Sequence, residues 1–517
     1  MNGAEILVRT ALAAGIEVCF ANPGTTEIQI AAAFDEVPAI RPVLGLFEGV
    51  CSGAADGYAR MKGKPAMVLM HLGPGLGNGI ANLHNARRAF SPLFNVIGDH
   101  ASWHLSADPP LSMDIAALSG TVSGWQRKNQ SVEALSSDVA DAVSATLHGQ
   151  IATLIIPNDS LWFDHPTGKI CTPSFAFDPI DHQRIDNALH MIKAAKRPAI
   201  IMGGWALRKR GLRAAGRIRA LTGCDLLTAM QPACMDRGIG LPAPTRIPYF
   251  PEEATSLLSA YDVVILVGTS VPVSFFGYRD GISRLVSSKA KMLSIASEKQ
   301  NAVEALEALV DSVDMKTGRT GITMSLPDYQ VPAVPNGKLT AEKACMAIAA
   351  LQPDNAVIVD EGITSSFHYF ELARGLAPHS YMTNTGGAIG QGMPCSIGAA
   401  IACPDRPVIN IQADGSAMYT VQALWTQARE GLDITTLICA NHRYAILQVE
   451  LSRAGYTSVG PMASSITSLD RPFIDWVSIS RGMGVPGVTV TTCEDLAKEM
   501  ARALGEPGPH LIEMMLE

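Results

Sequence analysis

The chain has 517 residues, of which 47% are hydrophobic and 17% charged, and a formal net charge of −8 at pH 7. That length exceeds what one core supports and implies about three domains. The acidic balance excludes the electrostatic footprint of a nucleic-acid or anionic-membrane binder. The one dense basic cluster, Arg208-Lys209-Arg210, reads as a solvated helix face. Ten cysteines without a CxxC pair imply reduced thiols in a cytoplasmic compartment. No secretory leader and no membrane-spanning run are expected. Low charge at this apolar content implies surface covered between subunits.

In chain order, Ile16–Ala21 is a strand candidate, followed by the turn Asn22-Pro23-Gly24 and a helix near Glu27–Asp35. Val43–Leu46 is a second strand, and small residues then open a helix over Gly49–Met61. Pro65–Met70 is a third apolar run, followed by the glycine-rich run Gly73-Pro74-Gly75-Leu76-Gly77, a further helix and the run Leu93–Ile97. This βα alternation predicts a parallel sheet covered by helices. Residues 164–181 read as a linker. A second α/β unit begins at Pro198–Met202 and continues through Val263–Val267 and Met292–Ile295, and residues 314–337 form another connection. A third begins near Leu339, with strands at Val357–Val359, Val408–Gln412 and Thr435–Cys439, then helix Leu496–Leu504 and strand His510–Met515. The predicted fold is α/β, with three domains over 1–165, 182–315 and 338–517.

Ligands of open parallel sheets sit beyond the carboxyl ends of the strands. The polar residues closing the apolar runs are therefore the first site candidates: Glu48, His71, Asp99 with His100, Asp414 and Asn441. Any one such acid can equally be a helix N-cap, so the reading rests on the set. Asp414 follows a buried strand and precedes a helix predicted over Ala417–Glu430, while Asn441 closes the following strand. A carboxylate and an amide oxygen on neighbouring strand ends suit Mg2+, which prefers hard oxygen ligands and shares itself with phosphates. Gly415 permits close backbone approach, and Ser416 offers donors to a phosphate.

Asp414-Gly415 with Asn441, 27 positions after the Asp (414 to 441), resembles the cofactor motif of the thiamine diphosphate (ThDP) enzyme superfamily. The family's usual first glycine is Ala413 here, and its usual first closing asparagine is Ala440. Asn22-Pro23-Gly24-Thr25-Thr26-Glu27, Phe47-Glu48-Gly49, Ala54-Ala55-Asp56-Gly57-Tyr58-Ala59-Arg60 and Gly73-Pro74-Gly75-Leu76-Gly77-Asn78 resemble its pyrimidine-binding domain. Gly387-Ala388-Ile389-Gly390 with Pro394 is similar to the segment that folds the cofactor. The similarity spans the chain in the order pyrimidine-binding, central, diphosphate-binding, and is strongest to acetolactate synthases and benzoylformate decarboxylase.

The resemblance implies Mg2+ held by Asp414, Asn441 and the main-chain carbonyl of Arg443. It implies diphosphate and cofactor contacts at Gly362, Thr364, Gly415, Ser416 and Tyr444. Glu48 would meet the pyrimidine, Ile389 would support the bent cofactor, and the Gly387 carbonyl would accept from its 4′-amine. Decarboxylation of a 2-oxo acid to a thiazolium enamine, followed by protonation or carboligation, is the implied reaction. Glu48, His71 and His100 would be catalytic, and Thr25, Asp99, Ile446 and Leu447 would line the substrate pocket, with His104 a further candidate. A histidine satisfied at a strand end remains the alternative for His71, and a satisfied turn the alternative for Asp99. A homodimer or homotetramer with sites between chains is implied, and FAD is not expected, because the flavin-contact segment of acetolactate synthases is missing. The alternatives are a 2-hydroxyacyl lyase, an FAD-containing oxidase relative, a non-catalytic homologue and a dinucleotide enzyme. Gly73–Gly79 lacks the GxGxxG spacing that the last requires.

Overall fold

A computed structural model describes residues 1–164, 168–174, 176–279, 281–317, 324–456 and 458–517. The chain forms two compact units, one of Met1–Phe175, Pro332–Leu372 and Asn384–Glu517, the other of Ala176–Val331 and Ala373–Thr383.

The first unit opens with β1 (Val18–Asn22), β2 (Arg41–Leu44), β3 (Ala66–Met70), β4 (Leu93–Asp99), β5 (Trp125–Lys128) and β6 (Ile151–Pro157). They form an all-parallel sheet in the order β2-β1-β3-β4-β6-β5. Strands β3, β4 and β6 are buried along their whole length, which is why they read as continuous apolar runs rather than alternating ones. The order reverses between β1 and β3, whose ends pair at Asn22 and Met70. This sets the turn after β1 beside the residue after β3, the crevice where open α/β sheets bind ligands.

The second unit holds β7 (Pro198–Met202), β8 (Asp225–Thr228), β9 (Met235–Arg237), β10 (Thr245–Arg246), β11 (Val263–Val267) and β12 (Lys291–Ala296). Its parallel sheet has the order β10-β8-β7-β11-β12. The last six strands are β13 (Val357–Glu361), β14 (His379–Thr383), β15 (Val408–Ala413), β16 (Ile434–Ala440), β17 (Gly487–Val490) and β18 (His510–Met515). β14 lies in the second unit and pairs antiparallel with β9. The other five run parallel in the first unit in the order β17-β18-β16-β15-β13. The carboxyl ends of β13, β15 and β16, at Glu361, Ala413 and Ala440, thus lie side by side. The α/β class with three parallel sheets agrees with the sequence expectation.

Within the first unit the helices Glu48–Lys62 and Gly392–Ala402 pack without room for side chains. A Cβ on Gly57 would sit 2.0 Å from the Cys395 carbonyl oxygen, and one on Gly398 would sit 1.9 Å from that of Ala54. Asp56 accepts from Arg60 of its own helix (Nε 2.8 Å) and, from the second segment, from Gln391 Nε2 (2.6 Å). The sequence motif around Asp56 therefore fastens two stretches of chain together rather than facing a ligand.

The structure corrects several boundaries. The glycine-rich run after β3 is the first turns of a helix, Leu72–Arg88, in which Pro74 takes an early position needing no donor. The helix predicted over Ala417–Glu430 is broken into Asp414–Ala417, a 3-10 turn at Met418–Thr420 and Ala423–Glu430. Residues read as the start of the second linker belong to the helix Ala302–Thr317, and both linkers fall partly outside the described residues. No described helix is long and apolar enough to cross a membrane.

Candidate active site

Glu48 is the first residue of its helix, where the free N–H groups favour a carboxylate. It is buried and accepts from Asn78 Nδ2 at 3.0 Å. A Cβ on Gly75 would come within 3.1 Å of Glu48 Oε1, so the glycine leaves that oxygen its space.

His71 closes β3 and stands beside the turn after β1, as the strand pairing dictates. Its Nδ1 lies 2.8 Å from Glu27 Oε2 and 3.2 Å from Thr26 Oγ1. Glu27 is 0% exposed and also accepts from the Gly24 N–H (2.9 Å) and the Thr26 hydroxyl (2.6 Å). Two glycines create the space: a Cβ on Gly24 would sit 2.3 Å from His71 Nδ1, and one on Gly98 would sit 1.7 Å from Glu27 Oε1. A carboxylate facing Nδ1 fixes the hydrogen there and leaves Nε2 as the outward nitrogen.

Asp99 accepts from Lys128 (2.7 Å) and from the His100 N–H (2.8 Å). The His100 ring lies 5.9 Å from that of His104, and its buried Nε2 has no hydrogen-bond partner among the described residues. Thr25 is exposed.

At the other sheet, Asp414 is buried and its two oxygens accept from the Gly415 N–H (2.8 Å) and the His442 N–H (2.7 Å). Burial pushes this carboxyl above its ordinary range, opposed by those N–H bonds. Asn441 Oδ1 accepts from the Arg443 N–H, and the Arg443 carbonyl accepts from the Ala445 N–H at 3.0 Å. Asn441 Nδ2 reaches toward Ser365 Oγ at 3.5 Å. Each of these acceptor oxygens retains a second lone pair for a cation. A Cβ on Gly415 would sit 2.4 Å from the Tyr444 ring, and one on Gly362 2.7 Å from Ser366 Cβ. Burial raises the Tyr444 phenol, with Tyr419 adding to the shift. Ser416 is buried and Thr364 half-buried, while Ile446 and Leu447 lie on the helix Ala445–Arg453, which has no buried residue.

Six described non-glycine residues adopt left-handed backbone, and three of them directly follow a site candidate: Leu72 (φ 52) after His71, Ile363 (φ 52) after Gly362 and His442 (φ 55) after Asn441. Such conformations each cost about 1–3 kcal/mol and concentrate at functional sites.

The segment carrying Gly387 and Ile389 is held by side chains that the sequence did not single out. Asn384 Oδ1 accepts from the Gly387 N–H, and Asn85 Nδ2 donates to the Ala388 carbonyl. Asn82 Nδ2 donates to the carbonyls of both Gly49 (2.8 Å) and Gly390 (3.3 Å). Glu361, the last residue of β13, accepts from the Gly390 and Gly392 N–H groups, Asn384 Nδ2 and Gln412 Nε2. Its position as an acid closing a buried strand before Gly362 was the available signal.

A cleft of about 650 Å³ in the second unit, lined by Lys209, Arg210, Arg213, Arg217, Glu307 and Asp311, contains none of the candidates. Among its charges, Arg210 pairs with Glu307 at 2.6 Å.

Two parallel sheets of the first unit present glycines, buried carboxylates and amide oxygens at their carboxyl ends, a donor set that suits a phosphorylated cofactor. Residues 1–118 match the N-terminal TPP binding domain of thiamine pyrophosphate enzymes, and residues 364–514 match the C-terminal TPP binding domain. Over 100% of this chain and 99% of the relative, it is 44% identical to a Mycobacterium tuberculosis protein provisionally named acetolactate synthase large subunit IlvX. Benzoylformate decarboxylase of Pseudomonas aeruginosa is 27% identical over 97% of this chain and 96% of that protein. The chain therefore belongs to the thiamine pyrophosphate enzyme family, in the group that contains acetolactate synthases and benzoylformate decarboxylase. A Rhodococcus jostii RHA1 ThDP-dependent 4-hydroxybenzoylformate decarboxylase shares the fold, with TM-score 0.87 and 23% identity over 100% of this chain and 99% of that one.

Proposed function

We propose that the protein is a ThDP- and Mg2+-dependent 2-oxo acid decarboxylase or carboligase. The observation that supports this reading is the parallel pairing of β13, β15 and β16, whose neighbouring carboxyl ends are followed by Gly362, Asp414 and Asn441. The donor set fits the group: Asp414, Asn441 and the Arg443 carbonyl offer hard oxygens to Mg2+. Gly362, Thr364, Gly415, Ser416 and Tyr444 would hold the diphosphate end. Glu48 would hold the pyrimidine, with Ile389 and the Gly387 carbonyl supporting it. The bound cofactor supplies an electron sink for the pair released when a carboxylate leaves as CO2.

The chain's own residues would then decide the outcome. With its Nδ1 anchored on Glu27, His71 has Nε2 available to deliver or accept a proton, and His100 Nε2 is a second unpartnered nitrogen. A fixed proton carrier favours aldehyde release over carboligation. A panel of aromatic and aliphatic 2-oxo acids, assayed for CO2, aldehyde and 2-hydroxy ketone, tests this. CO2 with aldehyde is expected. Cleavage of 2-hydroxyacyl donors without turnover of any 2-oxo acid would favour the lyase reading, and no turnover at all a non-catalytic homologue.

We further infer a homodimer at minimum, assembling to a homotetramer, with cofactor shared between chains in a reducing, cytoplasmic compartment; ten free thiols support the last point. Within one chain, however, Asn82 already joins the carbonyls of Gly49 and Gly390. Complementation separates the two arrangements. Glu48→Gln and Asp414→Ala should each be nearly inactive alone and regain activity in mixed dimers. Verified mixed dimers without activity would mean that each site is built within one chain.

A further inference from the structure

Glu361 is 2% exposed and, among the described residues, has no cationic partner. Its oxygens instead receive four N–H donors. Oε1 accepts from the Gly390 N–H (2.8 Å) and Asn384 Nδ2 (3.1 Å), and Oε2 accepts from the Gly392 N–H (2.6 Å) and Gln412 Nε2 (2.9 Å). Four donors require an acceptor-only group. A buried charge without a counter-charge is a poor stabiliser, and what its four bonds do is fix the conformation of the groups that donate them.

What it fixes is the loop from Asn384 to Gly392. Asn384, held by Glu361, donates to the Ala388 carbonyl (2.7 Å) and accepts from the Gly387 N–H (2.8 Å). Asn85 donates to the same Ala388 carbonyl (2.7 Å) and accepts from the Ala388 N–H (3.2 Å). The Gly390 carbonyl accepts from Thr420 Oγ1 (2.8 Å). Gly387 (φ 77) and Gly390 (φ 96) take backbone that side-chain-bearing residues rarely adopt. The backbone groups of Ala388 and Gly390 are thus all engaged, whereas the Gly387 carbonyl forms no hydrogen bond among the described residues, and Gly387 is exposed.

We propose that Glu361 is a positioning residue: it locks the Asn384–Gly392 loop so that the Gly387 carbonyl is left free to accept the 4′-amine of thiamine diphosphate. This rests on the cofactor reading above. It predicts that losing Glu361 harms recognition of the amine and spares recognition of the diphosphate, which other strand ends would hold. A residue that merely supports the fold would affect both equally.

The test is a two-by-two titration with Mg2+ present: wild type and Glu361→Gln, each against ThDP and against oxythiamine diphosphate, which carries oxygen in place of the 4′-amine. The Gln side chain conserves volume but turns an NH2 toward donors. Wild type should prefer ThDP on the order of tenfold, about the worth of one hydrogen bond, and Glu361→Gln should lose most of that preference while binding the analogue as wild type does. Asn384→Ala should reproduce the loss, and it decides the matter should Glu361→Gln not fold. Equal loss of both ligands, an undiminished preference in the variants, or no preference in wild type would overturn the proposal while leaving the cofactor reading standing. Wild type binding neither ligand would overturn both.

Discussion

Glu27→Gln isolates the charge behind His71 without removing its geometry. The Gly24 N–H and His71 Nδ1 share Glu27 Oε2, so the amide must place its oxygen there to keep both bonds. Its NH2 then faces Thr26 Oγ1, which can rotate and accept. Contacts survive, and the negative charge that steadies the imidazole while it carries a proton is lost. A charged hydrogen bond contributes about 1.5–3 kcal/mol and a neutral one about 0.5–1.5, so roughly 1–1.5 kcal/mol should disappear from the proton-transfer step. That is about tenfold in rate. His71→Ala, which removes the carrier, should slow the step by about 10²–10⁴-fold. The assay is single-turnover release of CO2 and of aldehyde, with ThDP affinity measured alongside. Aldehyde release in Glu27→Gln should fall about tenfold with CO2 release and ThDP affinity unchanged. Aldehyde release at the parental rate, or a loss that simply follows weakened cofactor binding, would refute the reasoning and return the pair to a structural role.

Asp56→Ala removes a fully buried carboxylate from Arg60, Ser91 and Gln391 and should destabilise the protein by about 3–5 kcal/mol; chemical denaturation showing under about 1 kcal/mol would contradict the packing described. Burial pushes the Cys51 and Cys345 thiols up to about 12, so neither should react with iodoacetamide at mildly alkaline pH in the native state, and mass spectrometry showing rapid labelling of either would refute their burial. The purified protein should be colourless, and absorbance at about 450 nm matching stoichiometric flavin would shift the reading toward flavin-carrying relatives.

The α/β class was legible because β3, β4 and β16 are buried along their whole length and so leave largely apolar runs. β5 was not, because Trp125-Gln126-Arg127-Lys128 is a partly exposed edge strand without an apolar run. The helix at Leu72–Arg88 was hidden by its glycines, which normally mark loops; here Gly75 makes space for Glu48 rather than a turn. The strand-end acids were singled out by position, whereas the Lys128 partner of Asp99 is a pairing that only the β5–β6–β4 order reveals. Glu27 was visible only as part of a motif. Its role depends on β1 pairing with β3 and on space at Gly24 and Gly98. Asn82, Asn85 and Asn384 left no sequence signal at all, since an asparagine that binds backbone looks like any polar residue until the loop it holds is seen.

The central claim is a cofactor anchored through a cation at Asp414. Calorimetric titration of the apoprotein with thiamine diphosphate, with and without Mg2+ and repeated on Asp414→Ala, tests it most directly. Saturable binding near one per chain that requires Mg2+, and its loss in a folded Asp414→Ala variant, is the predicted result. Binding indifferent to Mg2+ and to Asp414, or none by the wild type, would contradict it.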